Sequence, residues 1–255
     1  MANQRLDGKV IIVAGGATGI GAATALKLSQ AGAAVIIGDV NLQGAENVAA
    51  QINRGGGRAL AVNCDISNDQ SVAAMVKAAA DSWGGLDGIH INAADLSIIA
   101  EDTDALSIPM NIFDRTLAVD LRGHLLCTRH ALPQLLKRGG GALIYTSSDA
   151  AFMGEPIRLA YGVAKAGINA LMRHVASRWG KQGIRANAVS PGFILTETAT
   201  ANVGEQERKL LSEATRSPRL GKPEDIAGAV VFLMSQEGEW INGQTISVNG
   251  GILLR

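Results

Sequence analysis

The sequence predicts an α/β fold, a single-domain Rossmann-type doubly wound parallel sheet of about seven strands with helices on both faces. Three observations carry that expectation. Short β-type runs alternate with longer segments of helical spacing through most of the chain. The runs are nearly continuous in Val, Ile, Ala and Leu, as in parallel strands covered on both faces. The apolar set reaches 47% before 31 glycines are counted, against roughly 45–50% for both together in an average domain.

Val10–Ala14 opens the sheet, and a glycine-rich turn leads into a helix over Gly19–Gln30 with Ile20, Ala23, Ala25, Leu26 and Leu28 at helical spacing. Strands follow at Ala34–Gly38 and Ala59–Asn63. A helix over Asp69–Trp83 has Asn68 or Ser67 as its cap. Gly88–Asn92 is the fourth strand, and Ile112–Leu136 a long helix with Pro133 near its end. Then come strand Ala142–Thr146, helix Tyr161–Gly180 and strand Arg185–Ser190. Helix Pro223–Ser235 has proline at its first position, and strand Thr245–Val248 is last. The order predicts right-handed crossovers. No linker or low-complexity tract divides residues 1–255. Two less patterned stretches, 95–110 and 196–217, fall where loops at strand carboxyl ends shape a ligand crevice.

Composition narrows the function classes. Lys plus Arg and Asp plus Glu are 23 each, so nucleic acid, which needs a basic surplus, is not the expected partner. Charged residues at 18% exclude disorder and a charged coiled coil. Cys64 and Cys127 form neither a disulfide framework nor a metal spacing and read as buried small hydrophobes. The start, MANQRLDGK, has no apolar core for a signal segment. No apolar run approaches the roughly 20 residues that span a bilayer. A soluble, reduced, cytoplasmic protein is expected.

The chemistry-bearing motifs begin with Gly15-Gly-Ala-Thr-Gly19-Ile-Gly21 between the first strand and its helix. A turn this tight needs residues without a Cβ, and the helix N-terminus faces a pyrophosphate with N–H groups and a positive dipole. Glycine turns also occur for packing alone. Asp39 follows Gly21 by 18 positions, close to the roughly 20 expected of an acid that accepts bonds from an adenosine ribose. It would repel a 2′-phosphate, and no Lys or Arg stands in 40–43 or 15–20, so NAD is favoured over NADP. A helix-cap or loop role is the alternative for Asp39.

Tyr161 and Lys165 stand one helical turn apart on one face. A phenol is a poor base at neutral pH, and a nearby ammonium stabilises the phenolate. Tyr161 can then take a hydroxyl proton as hydride leaves an alcohol carbon, or return it to a ketone. Ser148, just past the strand ending at Thr146, can bond the developing oxyanion. His90 reads as a satisfied core histidine. His124, His130 and His174 share no ligand spacing, so no metal is expected. Lys137-Arg138 reads as a solvated helix end, and Trp83 and Trp179 as packing residues. Glu155 and Arg158 either face substrate or are exposed loop charges.

Together these residues resemble the classical short-chain dehydrogenase/reductase family along essentially the whole chain. The motifs that carry the resemblance are Gly15-x-x-x-Gly19-x-Gly21, Asp65-Ile66, Asn92-Ala-Ala94, Ser148, Tyr161-Gly-Val-Ala-Lys165, the Pro191-Gly192-Phe-Ile194-Leu-Thr196 segment and the tail 242–251. The resemblance implies a cofactor set of Gly15, Thr18, Gly19, Ile20, Gly21, Asp39, Asp65, Ile66, Asn92, Ala93, Pro191, Gly192, Ile194 and Thr196, with Tyr161 and Lys165 shared. In it Asp65 holds the adenine amine, and Ile194 and Thr196 contact the nicotinamide carboxamide and phosphate. It implies a catalytic set of Ser148, Tyr161, Lys165 and Asp120, with Lys165 also bonding the ribose, and a mobile lid over 196–217. Two positions depart from the pattern. Asp120 stands where the family has an Asn that supports a kinked helix and a water relay to Lys165, and Ala94 replaces a Gly.

The expected function is an NAD-dependent oxidoreductase acting on a secondary alcohol or its ketone. One alternative is a 3-oxoacyl thioester reductase, with Arg178 and Lys137 facing an acidic carrier protein; Asp39 counts against it because those reductases commonly use NADP. Another is a catalytically silent nucleotide-binding member, motivated by Asp120 and Ala94. The resemblance also implies a homotetramer or homodimer pairing the two long helices.

Overall fold

A computed structural model describes residues 5–254. Expectations at residues 1–4 and 255, part of the polar start and the ends of the 1–255 span, lie outside the described residues. Seven parallel strands form one sheet in the order β3-β2-β1-β4-β5-β6-β7. They are β1 Val10–Ala14, β2 Ala34–Asp39, β3 Arg58–Asn63, β4 Gly88–Ile91, β5 Gly141–Thr146, β6 Ile184–Pro191 and β7 Thr245–Val248. The helices are α1 Gly19–Gln30, α2 Leu42–Arg54, α3 Asp69–Trp83, α4 Met110–Leu117, α5 His124–Lys137, α6 Leu159–Trp179, α7 Glu197–Asn202, α8 Glu205–Ala214 and α9 Pro223–Met234.

Strand side chains alternate between two cores. Ile12, Ile36, Ile91 and Tyr145 face α3, α5 and α6, through Met75, Cys127 and Met172. Ile11, Val13, Val35 and Ile144 face α1, α2 and α9, through Leu28, Val48 and Val230. Trp83 and Trp179 pack at the margin of the first core, and both cysteines are buried free thiols. Strand order reverses between β1 and β4, which opens a crevice at their carboxyl ends.

The structure corrects several expectations. Not every strand is covered on both faces: β3, at the sheet edge, alternates exposed and half-buried residues. Residues 42–54, where the sequence pattern predicts no element, form α2. Its apolar stripe of Ala45, Val48, Ala49 and Ile52 falls at i, i+3, i+4 and i+7 but is weakly apolar because two of the four are alanine, and Asn41 caps the helix by accepting the Gly44 N–H at 3.0 Å. Stretch 196–217 is not structureless. It holds α7 and α8, and α8 buries no residue, which explains its weak pattern. The helical course from Met110 to Lys137 is not one unbroken helix but is interrupted by a π-turn over Ala118–Gly123, at the position where the resemblance implies a kink. The last crossover also departs from a uniform hand. The β6–β7 link runs opposite to β1–β2 across the sheet, yet its helix α9 lies on the same face as α1, so its hand is reversed. The long intervening segment relieves the steric coupling that fixes the hand of short crossovers.

Candidate active site

The crevice is built first from the glycine turn. Gly15 has φ +83°, and a Cβ on it would sit 2.5 Å from the Ala93 Cα. A Cβ on Gly21 would stand 1.8 Å from the Gly15 carbonyl oxygen. The turn is therefore folded onto itself and onto the end of β4, where only glycine fits. The Asn92 side-chain amide donates to the Gly15 carbonyl at 2.9 Å. Thr18 precedes α1 without a side-chain capping bond, and Ile20 lies in the first turn. Asp39, at the end of β2, accepts the Ala17 N–H and the Asn41 N–H, both at 2.9 Å. Turn and strand-end acid are thus one unit, and the second bond also gives Asp39 the local loop role that is the alternative to ribose binding. Asp65 Oδ1 accepts both the N–H and the hydroxyl of Ser67, at 2.8 and 2.7 Å. Ile66 is buried where Gly123, in the π-turn, has no side chain: a Cβ there would stand 2.7 Å from Ile66 Cγ1.

The opposite wall is the segment after β6. Gly192 packs on Asn249, where a Cβ would meet the Asn249 Cα at 2.9 Å. Ile194 is buried and bridges to Gly221. Thr196 caps α7 by accepting the Ala199 N–H at 3.1 Å, and its methyl lies 3.0 Å from where a Gly19 Cβ would be. The two ends of the expected cofactor path therefore touch across the crevice.

Between the walls lies the Ser, Tyr and Lys group. Lys165 is 1% exposed, and its Nζ donates to the Thr146 carbonyl at 3.1 Å and stands 5.3 Å from the Tyr161 ring centroid. Ser148 Oγ accepts the Ala150 N–H at 3.2 Å, which leaves its own proton to donate. Among the described residues no hydrogen bond joins Ser148 to Tyr161. Asp149 holds the Ser148 segment in place by accepting from the Ser190 hydroxyl and the Asn249 amide, both at 2.8 Å.

Asp120 is fully buried in the π-turn. Its Oδ1 accepts the Asp95 N–H at 2.9 Å, and its Oδ2 has no partner among the described residues. Burial raises its carboxyl above the ordinary value, against the opposing pull of the Lys165 charge.

Two histidines that the sequence does not bring to this site stand beside it. His124 contacts the Ala93 carbonyl through Nε2 at 3.0 Å, so that nitrogen carries the proton. His90 Nε2 lies 2.9 Å from the Thr146 hydroxyl, which in turn donates to Asn92 Oδ1 at 3.0 Å. Burial pushes each imidazole down to about 3, and each keeps an Nδ1 without a partner among the described residues. His90 is thus a core histidine satisfied at one nitrogen only. A histidine inside an apolar strand, just ahead of the Asn92 motif, is the one signal the sequence offers. Glu155 and Arg158 pair with each other at 2.6 Å, and Arg138 of the helix-end pair binds Asp87 at 3.1 Å.

A groove of about 740 Å³ lies away from the crevice, on the outer faces of α5 and α6, lined by Leu125, Leu132, Leu136, Leu171 and Trp179 among others. Among the described residues no helix is long and apolar enough to cross a membrane.

A family model described as enoyl-(acyl carrier protein) reductase matches residues 15–253. A probable short-chain type dehydrogenase/reductase of Bradyrhizobium diazoefficiens is 37% identical over 249 residues, covering 98% of this chain and 89% of the relative. The L-rhamnose 1-dehydrogenase (NAD(P)(+)) of a Sphingomonas species is 37% identical over 251 residues, covering 97% of each. A solved structure of 7α-hydroxysteroid dehydrogenase with NADH and 7-oxo glycochenodeoxycholic acid superposes with a TM-score of 0.92 at 32% identity, over 98% of this chain and 96% of that one. The glycine turn, the strand-end acids, the Tyr-x-x-x-Lys pair and these full-length matches converge on one conclusion: the chain belongs to the short-chain dehydrogenase/reductase family.

Proposed function

We propose that the protein is an NAD-dependent oxidoreductase that transfers a hydride between a secondary alcohol, or its ketone, and a nicotinamide dinucleotide. The observation that carries this reading is the buried Lys165 ammonium 5.3 Å from the Tyr161 ring, beside a turn whose backbone leaves no room for a Cβ at Gly15 or Gly21. A dinucleotide suits that cradle, with backbone close enough to approach a pyrophosphate and two carboxylates at the ends of β2 and β3. Gly15, Thr18, Gly19, Ile20, Gly21, Asp39, Asp65 and Ile66 hold the adenosine and diphosphate half. Asn92, Ala93, Lys165, Pro191, Gly192, Ile194 and Thr196 hold the nicotinamide half.

The dinucleotide supplies the hydride acceptor or donor when bound. Ser148 donates its free hydroxyl proton to the substrate oxygen and fixes its direction. Tyr161 takes the alcohol proton during oxidation and returns it during reduction. Lys165 stabilises the phenolate. Its Nζ donates one N–H to Thr146, and the others would bond the ribose and a water relay toward Asp120. The α7–α8 segment serves as a lid. The outer faces of α5 and α6 pair with a second copy, with the apolar groove as the support.

Asp39 favours NAD, since a carboxylate bonded to the turn would face a 2′-phosphate. The same residue weighs against a carrier-protein reductase that uses NADP. The test is purified protein with NAD and with NADP against a panel of secondary alcohols. Turnover with NAD that Tyr161→Phe abolishes is the expected result. Cofactor binding without turnover on any alcohol would favour the silent reading, and a preference for NADP would overturn the Asp39 argument.

A further inference from the structure

We propose that Asp102 is a positioning residue for Tyr161 and acts through the first turn of α6; the inference rests on the role given to Tyr161 above. A helix start leaves up to four N–H groups without intrahelical partners. Helix α6 has no cap of its own, because Arg158 before it lies at φ +64° and makes no side-chain capping bond. Instead, four successive N–H groups are taken by residues 102 and 103. Arg158 donates to the Asp102 main-chain carbonyl at 2.8 Å, and Leu159 to the Thr103 carbonyl at 3.3 Å. Ala160 donates to Asp102 Oδ1 at 2.9 Å, and Tyr161 to Asp102 Oδ2 at 2.8 Å.

Asp102 is only 3% exposed. Its charge is met by the two amides and by the positive end of α6, so the carboxylate has a reason to stay at this one place. The other end of its segment is also tied to the site. The Asp95 N–H donates to Asp120 Oδ1 at 2.9 Å, and the Asp95 carboxylate accepts from Arg115 Nε at 2.8 Å. Residues 95–102 therefore form a strut from the carboxylate beside Lys165 to the backbone of Tyr161. A non-glycine residue at positive φ is a disfavoured start for a helix, so without Asp102 the first turn frays. The phenol then loses its fixed place against Lys165, while the dinucleotide cradle on β1, β2 and α1 is untouched.

The experiment compares Asp102→Ala and Asp102→Asn with wild type in the full chain, using NAD and an alcohol that the wild type oxidises. We expect kcat to fall about tenfold or more in Asp102→Ala and less in Asp102→Asn, which keeps one acceptor oxygen, with the KM for NAD within about twofold. Amide exchange at Ala160 and Tyr161 should quicken in the same order. If Asp102→Ala does not fold, Asp102→Asn is read for the same split. An unchanged kcat in a folded variant overturns the proposal. A drop in kcat matched by an equal rise in the KM for NAD in a folded variant also overturns it, as a purely structural role. If the wild type oxidises no alcohol with NAD or NADP, the functional reading has failed, and amide exchange decides the clamp alone: faster exchange upholds it, and unchanged exchange sinks it.

Discussion

Lys165 is the residue on which the proposed chemistry turns. A fully buried ammonium is costly unless it is bonded, and here it bonds the Thr146 carbonyl and faces the Tyr161 ring. Lys165→Met keeps an unbranched apolar side chain, one atom shorter, and removes its charge. The expected outcome is a loss of about 10²–10⁴ in kcat in protein that still melts cooperatively, measured by steady-state oxidation of the best alcohol. Asp120 gives a second prediction, with the sign set by its raised carboxyl. The unfolded chain releases this proton at lower pH than the folded one, so the group costs stability once pH rises through its folded value. Asp120→Asn should therefore raise the Tm at pH 7, and the gain should vanish near the ordinary carboxylate range; an equal gain at pH 4 and pH 7 would refute the assignment. The Asn side chain keeps the oxygen that accepts the Asp95 N–H.

At the scale of elements, the strand-to-helix turn between β1 and α1 is the most tightly specified part of the chain. Gly21→Ala would place a methyl 1.8 Å from the Gly15 carbonyl oxygen, a contact that no side-chain motion relieves. Dinucleotide affinity should fall by an order of magnitude or more with the Tm also lowered, as read by calorimetric titration with NADH and by thermal melts. This turn is fully legible in the sequence, because positive φ and close backbone approach demand glycine itself. The helix α2 is not, since its stability comes from laying Val48 and Ile52 on the sheet rather than from its own composition. The π-turn at Asp120 is legible only through the family resemblance, which implies a kinked helix at that position; a helical repeat by itself gives no sign of one extra residue.

On the scale of the molecule, acid should be the weak side. His90 and His124 are both fully buried and neutral, with folded values near 3 against an ordinary 6.5. Because those folded values are depressed, the unfolded chain binds protons first, and stability present above about pH 6.5 drains away as pH falls toward 3. The loss grows by about 1.4 kcal/mol per pH unit for each histidine, opposed in part by Asp120. Thermal melts from pH 7 to pH 4 should show a steep fall that His124→Gln makes shallower. The α5–α6 groove makes a second whole-molecule prediction. Leu125, 48% exposed at its rim, is expected to lie between copies. Leu125→Glu should shift sedimentation toward a smaller species without altering the circular dichroism of the fold.

The sequence by itself determined the sheet, its parallel sense and the local chemistry of its motifs, because strand burial, glycine conformation and i, i+4 spacing are properties of neighbouring residues. It placed Tyr161 and Lys165 on one turn for that reason. Only the tertiary structure decided which distant groups serve them. Asp102 reaching the N–H groups of α6, His124 meeting the Ala93 carbonyl and Asp39 receiving the Ala17 N–H join residues far apart along the chain. No periodicity encodes such pairs; they arise when packing brings loop ends together and buried polar atoms must find partners.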